Sequence, residues 1–244
     1  MPLIVGIVVA FLVVFAVAGG FNHTTRDPDA GPQVTGLPTT SPTTLPGNAT
    51  PPAGGETALA ALESLPVKGK SPLTGYDRTG DFGHAWIDVD LNGCDTRNDV
   101  LARDLGSVLR PSGCRVLSGV LNDPYTGRVI DFVRGQKTST LVQIDHLVPL
   151  ANAWQTGAQK LTPQQRIDLA NDPLELLAVD GSSNESKGDG DAATWLPPHK
   201  AFRCEYVARQ IAVKAKYQLW VTSAEKAAII RVLTGCPDRP AATA

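Results

Sequence analysis

Gln143-Ile144-Asp145-His146-Leu147-Val148-Pro149 and Asn184-Glu185-Ser186-Lys187-Gly188-Asp189 are the two stretches on which the fold turns. In the first, a β-branched run ends in two adjacent polar residues and then gives way to a helical pattern. Side chains alternate along a strand, so Asp145 and His146 face opposite sides of it. One of them can ligate a metal while the other meets a substrate, a pairing that suits hydrolysis. Taken alone, an Asp beside a His fits a structural hydrogen bond as well. In the second stretch Asn184 and Lys187 stand three apart, which on a helix puts both on one face.

Working outward, Ser139 to Ile144 reads as the strand that delivers Asp145 and His146. Leu150 to Thr156 is helical, and Thr162-Pro163-Gln164-Gln165 opens a second helix with an N-cap, a proline at the first helical position and a capping-box Gln. That helix ends near Asn171-Asp172-Pro173. Leu174 to Val179 is short and apolar enough for a buried strand, and Asp180-Gly181-Ser182-Ser183 starts the helix that carries Asn184. Upstream, Thr96 to Leu109 has apolar residues at helical spacing. Arg115 to Leu121 and Arg128 to Val133 flank Asn122-Asp123-Pro124-Tyr125-Thr126-Gly127, whose Pro and Gly predict a hairpin turn.

The rest of the chain bounds these elements. A net charge of −2 excludes a polybasic protein that coats nucleic acid by charge alone, so any basic surface is local. Pro2 to Phe21 carries no charge and is long enough to span a bilayer. Ala16-Val17-Ala18 offers a cleavage signal without the usual basic start, leaving residues 1–21 as a signal peptide or a membrane anchor. Residues 22–56 are a Pro/Thr-rich linker, too poor in large apolar side chains to offset the entropy of ordering and expected to be disordered. One globular domain, residues 57–236, follows, and then a tail, 237–244. All four cysteines lie inside that domain. Behind an export signal they read most simply as Cys94 with Cys114 and Cys204 with Cys236, each bridge worth roughly 3 to 4 kcal/mol.

Strand, Asp-His, connection, Asn171, strand and helix with Asn184 make an order that resembles the HNH endonucleases, whose ββα-metal unit carries an Asp-His or His-His pair, a middle Asn, and a last His or Asn on the helix. The likeness is strongest to exported HNH nucleases of actinobacterial type related to the C-terminal domain of GmrSD restriction endonucleases. It rests on Asp145 to Leu150, Asn171 to Asp180 and Asn184 to Asp189, and extends to Tyr76-Asp77-Arg78, Asn92 to Asp99 and Trp195-Leu196-Pro197-Pro198. The resemblance implies an α+β fold with a ββα-metal core, an added hairpin and flanking helices, stapled by disulfides. It also implies an exported, metal-dependent endonuclease acting on nucleic acid, DNA in the first instance. His146 would activate water, Asp145 and Asn184 would bind a metal, Asn171 would hold the connection, and Lys187 would meet a phosphate. Asn184 stands where better-known members have His, and two oxygen ligands suit Mg2+ or Mn2+ better than zinc.

Other residues admit weaker readings. Arg78 and Arg97 are candidate phosphate contacts, whereas His84 reads as part of a structural turn. Arg203 to Arg231 carries an excess of Lys and Arg along which a duplex backbone could lie. Membrane contact runs through residues 2–21 if the leader is retained, and no protein partner is evident. The competing class is a non-catalytic cell-envelope protein that binds nucleic acid or another partner.

Overall fold

The computed structural model describes residues 56–243. The leader, and the linker up to its last residue, lie outside the described residues. Among the described residues no helix is long and apolar enough to cross a membrane.

The order is helix α1 (Ala58–Ser64), α2 (Arg78–Phe82), α3 (Thr96–Asp104), strands β1 (Gly106–Leu109), β2 (Ser118–Asn122), β3 (Val129–Val133) and β4 (Val142–His146), then α4 (Leu150–Gln155), α5 (Pro163–Asn171), β5 (Leu176–Asp180), α6 (Gly181–Lys187), α7 (Arg203–Lys216) and α8 (Ser223–Leu233). Mixed helix and sheet with two disulfides is the α+β arrangement expected. β1, β2 and β3 form an antiparallel sheet, and β4 pairs with β5 in a second one. Two antiparallel strands followed directly by a helix therefore stand at the centre, with His146 opposite Leu176 and Val142 opposite Asp180.

Local chemistry explains most boundaries. Thr162 and Thr222 each complete a capping box, at the starts of α5 and α8. Asp180 ends β5 and at once caps α6 through Ser183 N–H. Gly181 follows because nothing larger fits, since a Cβ there would lie 2.0 Å from the Thr140 carbonyl oxygen. The hairpin turn is held by Asp123, whose carboxylate accepts from the backbone N–H of Tyr125 and Thr126. The helix expected over Thr96 to Leu109 stops at Asp104. Leu105 is already extended, and Gly106 opens β1, which pairs with β2. The strand expected over Ser139 to Ile144 begins only at Val142.

Packing fixes the ββα unit from three sides. Val142, Ile144, Leu176 and Ala178 join Val100, Leu101 and Phe132 in one core cluster. Leu177 and Val179 pack with Leu62, Tyr206, Val207 and Ile229 from α1, α7 and α8. Val148, Leu150 and Leu169 form a third cluster with Phe82. The two disulfides are Cys94–Cys114 and Cys204–Cys236. The segment read as a tail is tied down: Ala58 N–H donates to the Arg239 carbonyl and Ala241 N–H to that of Glu56.

Candidate active site

Pleating of β4 sends Gln143 and Asp145 to one face and His146 to the other. α6 lies across the first face. Asn184 Nδ2 donates to Gln143 Oε1 at 2.8 Å, and Gln143 Nε2 donates to Glu185 at 2.9 Å. One turn on, Lys187 Nζ donates to both Asp145 oxygens at 2.8 and 2.7 Å and to the His146 carbonyl at 2.6 Å. The Tyr125 hydroxyl donates to the same carboxylate. Asn184 and Lys187 do share a helix face, as their spacing predicts, but Lys187 is turned inward and only 3% exposed. Its ammonium sits on Asp145 and does not face the open cleft.

On the other face, His146 Nε2 lies 2.9 Å from the Ala170 carbonyl, at the end of α5. A carbonyl only accepts, so Nε2 carries the proton and Nδ1 is left as the basic nitrogen. The ring stacks on Trp86 with centroids 6.4 Å apart. Trp86 in turn has the Arg97 guanidinium 6.0 Å from its own ring. Burial, and then the Arg78 charge, push the His146 pKa down to about 3, so the imidazole is neutral at ordinary pH.

Asn171 is buried at the end of α5, beside the same ring. Its Nδ2 donates to the Ile167 carbonyl at 2.9 Å, while its Oδ1 has no protein partner. Both residues line a small cavity of about 50 Å3 with Arg78 and His84. A larger cleft of about 340 Å3 opens beside it, lined by Arg78, Asp145, His146, Asn184 and Asp189 among others. The fold thus gathers Asp145, His146 and Asn184 at one cleft, sets Asn171 behind His146, and places Lys187 beneath Asp145. A separate cavity of about 500 Å3 lies elsewhere and is not this site. Two of its guanidiniums, Arg103 and Arg209, are engaged by the carbonyls of Pro173, Leu174 and Leu176.

Three residues of the site carried no sequence signal. Tyr125 sits in a turn whose Pro and Gly announced only a turn, yet its ring is fully buried against Trp195, Phe202 and Tyr206 and aims its hydroxyl at Asp145. Trp86 adopts φ +65°, a left-handed conformation uncommon outside glycine. Glu175 is wholly buried with both oxygens on Val148 N–H, and burial raises its pKa well above the usual range.

Among the described residues no three His, Cys, Asp or Glu side chains converge where an ion could be held. Magnesium is bound through one or two carboxylates with open positions. Asp145 does not offer that here, because Lys187 and Tyr125 already cover its oxygens; Asn184 bonds Gln143 only through its Nδ2, so its oxygen is the one proposed ligand atom still open. The donor set as arranged does not fit the expected ion.

Much of the basic C-terminal stretch is already engaged within the protein. Lys214 is buried on Glu225, Lys216 pairs with Asp172 and Lys226 with Glu63, and Arg209 is held by backbone carbonyls.

Residues 95–232 match the family model described as the C-terminal domain of GmrSD restriction endonucleases, and the chain belongs to that family. It is also 39% identical over 205 residues, 83% of this chain and 95% of the other, to an "Uncharacterized secreted protein" of Arthroderma benhamiae (strain ATCC MYA-4681 / CBS 112371). That relative is fungal, so the likeness is not confined to the actinobacterial type. No solved structure matches the chain.

Proposed function

We propose that this protein is an exported endonuclease of the HNH type that hydrolyses phosphodiester bonds of nucleic acid. The observation that supports it most is the state of His146. Its Nε2–H is anchored on the Ala170 carbonyl, its Nδ1 is unprotonated, and it lines the cleft that also holds Arg78 and Asn184. Hydrolysis needs a base at the attacking water and positive charge where the phosphorane oxygens develop. As the water oxygen bonds to phosphorus, His146 Nδ1 takes its proton, a protonation that the anionic phosphate beside the ring favours over the empty cleft, and the P–O bond to the leaving sugar oxygen breaks, that oxygen taking a proton from solvent. Arg78, exposed at the cleft, holds the phosphate oxygens by paired N–H donors. Asn171 packs behind the histidine and keeps the end of α5, with the Ala170 carbonyl, in position. The Asp145–Lys187 pair fixes α6 on β4 and so aims Asn184 toward the cleft. Mg2+ or Mn2+ on Asp145 and Asn184 belongs to the resemblance; since the Asp145 oxygens are already engaged, no step is assigned to the ion.

The family match and the secreted relative support a nuclease outside the cell, and DNA is the substrate to try first. The test is incubation of the purified protein with plasmid DNA and with RNA, in magnesium, in manganese and in EDTA. Cleavage should appear and should fall about 100- to 10,000-fold in His146→Ala, the usual range for a lost general base. Binding without cleavage, indifferent to His146, would instead indicate a nucleic-acid-binding module.

A further inference from the structure

Three cations of the C-terminal region are not engaged like the rest. Lys200, Arg203 and Arg231 belong to no ion pair among the described residues. They converge on a groove of about 420 Å3 whose floor includes Leu196, Cys204 and Val232, and no acidic side chain lines it. Lys200 and Arg231 are exposed and Arg203 is half-buried. Arg203 donates through Nε to the Pro197 carbonyl at 2.7 Å, which orients the guanidinium and leaves its terminal nitrogens without a hydrogen bond to the described residues.

The groove is built on a rigid frame. Arg203 opens α7 and Arg231 lies in the last turn of α8, and the Cys204–Cys236 disulfide ties these two regions together. The groove shares no lining residue with the cleft at His146. Between them stands the aromatic layer of Phe202 and Tyr125, the latter reaching Asp145.

We propose that this groove binds phosphates of the nucleic-acid backbone at a distance from the reacting bond, a second anchor for a polymeric substrate. The proposal rests on the nuclease reading above. Three cations with no acid among them attract a polyanion. The contact is sequence-independent, and its energy comes from counterion release.

The experiment uses the full chain carrying His146→Ala, to prevent cleavage, and a fluorescent DNA duplex titrated over a salt series. Lys200→Gln with Arg231→Gln should weaken binding at low salt and make the slope of log K against log salt shallower by about 1.8, at roughly 0.9 for each phosphate no longer neutralised. Lys137→Gln, in an exposed turn elsewhere, is the control and should leave the slope alone. Arg203 is kept because its bond to Pro197 supports the fold. An unchanged slope and affinity in the double variant, with the control also unchanged, overturns the proposal. So does loss of binding to phosphatidylglycerol vesicles while the duplex slope stays put, which would make the groove a lipid contact. The same double variant with His146 intact separates the two readings. Wild-type cleavage with no change on substitution sinks the groove alone, and a wild type that neither binds nor cleaves DNA or RNA sinks the nuclease reading with it.

Discussion

Asp145 and Lys187 form an ion pair whose side chains are 6% and 0% exposed, and at that depth the partners cannot be separated cheaply. Lys187→Met leaves Asp145 charged, buried and held only by Tyr125, a change that typically costs about 3 to 5 kcal/mol. Asp145→Asn with Lys187→Met removes both charges and should recover much of that loss in denaturant unfolding. If the single and double variants were equally unstable, the pair would not be what holds α6 to β4. Lys187→Met also uncovers the carboxylate, so calorimetric titration should show tighter magnesium binding than in the wild type. His146 gives the second prediction at this scale. Its folded pKa lies at about 3 and its unfolded value near 6.5, so between the two the unfolded chain binds more protons. Stability contributed by the neutral imidazole is complete above about pH 6.5 and is lost as pH falls toward 3. Arg78→Met takes away the second cause of the depression, and the His146 titration, followed by its ring-proton resonances, should move upward. An unmoved titration would mean that burial alone sets the value.

At the scale of elements, the path from β4 to α6 was legible because each boundary carries its own chemistry: the Thr162 capping box, the Asp172-Pro173 break and Asp180 as cap. The adjacency of Asp145 and His146 was legible too, since pleating alone sends neighbours to opposite faces. What those faces meet was not. Tyr125 reaches Asp145 from a turn twenty positions upstream, and Trp86 reaches His146 from a loop with a left-handed residue, neither of which leaves a periodic trace. The inward turn of Lys187 was equally hidden, because helical spacing places Cβ atoms and not the ends of long side chains. Thr96 to Leu109 misled for a related reason: Leu105, Val108 and Leu109 fit a helical period, but pairing of β1 with β2 outweighs that preference. Gly181 tests the tightest junction. Gly181→Ala puts a Cβ against the Thr140 carbonyl, where only backbone movement relieves it. The expected loss is about 1 to 3 kcal/mol or more, as for overpacking generally. It should appear as a lower melting temperature, with turnover reduced beyond the unfolded fraction because Asn184 and Lys187 ride on the same helix. Normal stability and turnover would show that the junction between β5 and α6 yields easily.

For the whole molecule, every described side chain placed at the cleft lies between Tyr76 and Asp189. A chain beginning at Glu56 should therefore cleave as fast as the full-length protein. The other end is different. Residues after Cys236 return to the start of α1, where Arg239 and Glu56 carbonyls accept from Ala58 and Ala241 and a bridge joins Thr57 to Pro240. Ending the chain at Cys236 keeps the Cys204–Cys236 disulfide but removes those backbone bonds, each worth net about 0.5 to 1.5 kcal/mol. α1 contributes Ala58, Ala61 and Leu62 to the core cluster that also holds Leu177 and Val179 of β5, so loosening it reaches the strand opposite Asp145 and Gln143. The shortened chain should unfold about 1 to 3 kcal/mol more easily in denaturant, and hydrogen exchange should show Ala58 to Ser64 opening first. If exchange in α1 were unchanged by the truncation, the last residues would be a true tail, and α1 would owe its place to its apolar face alone.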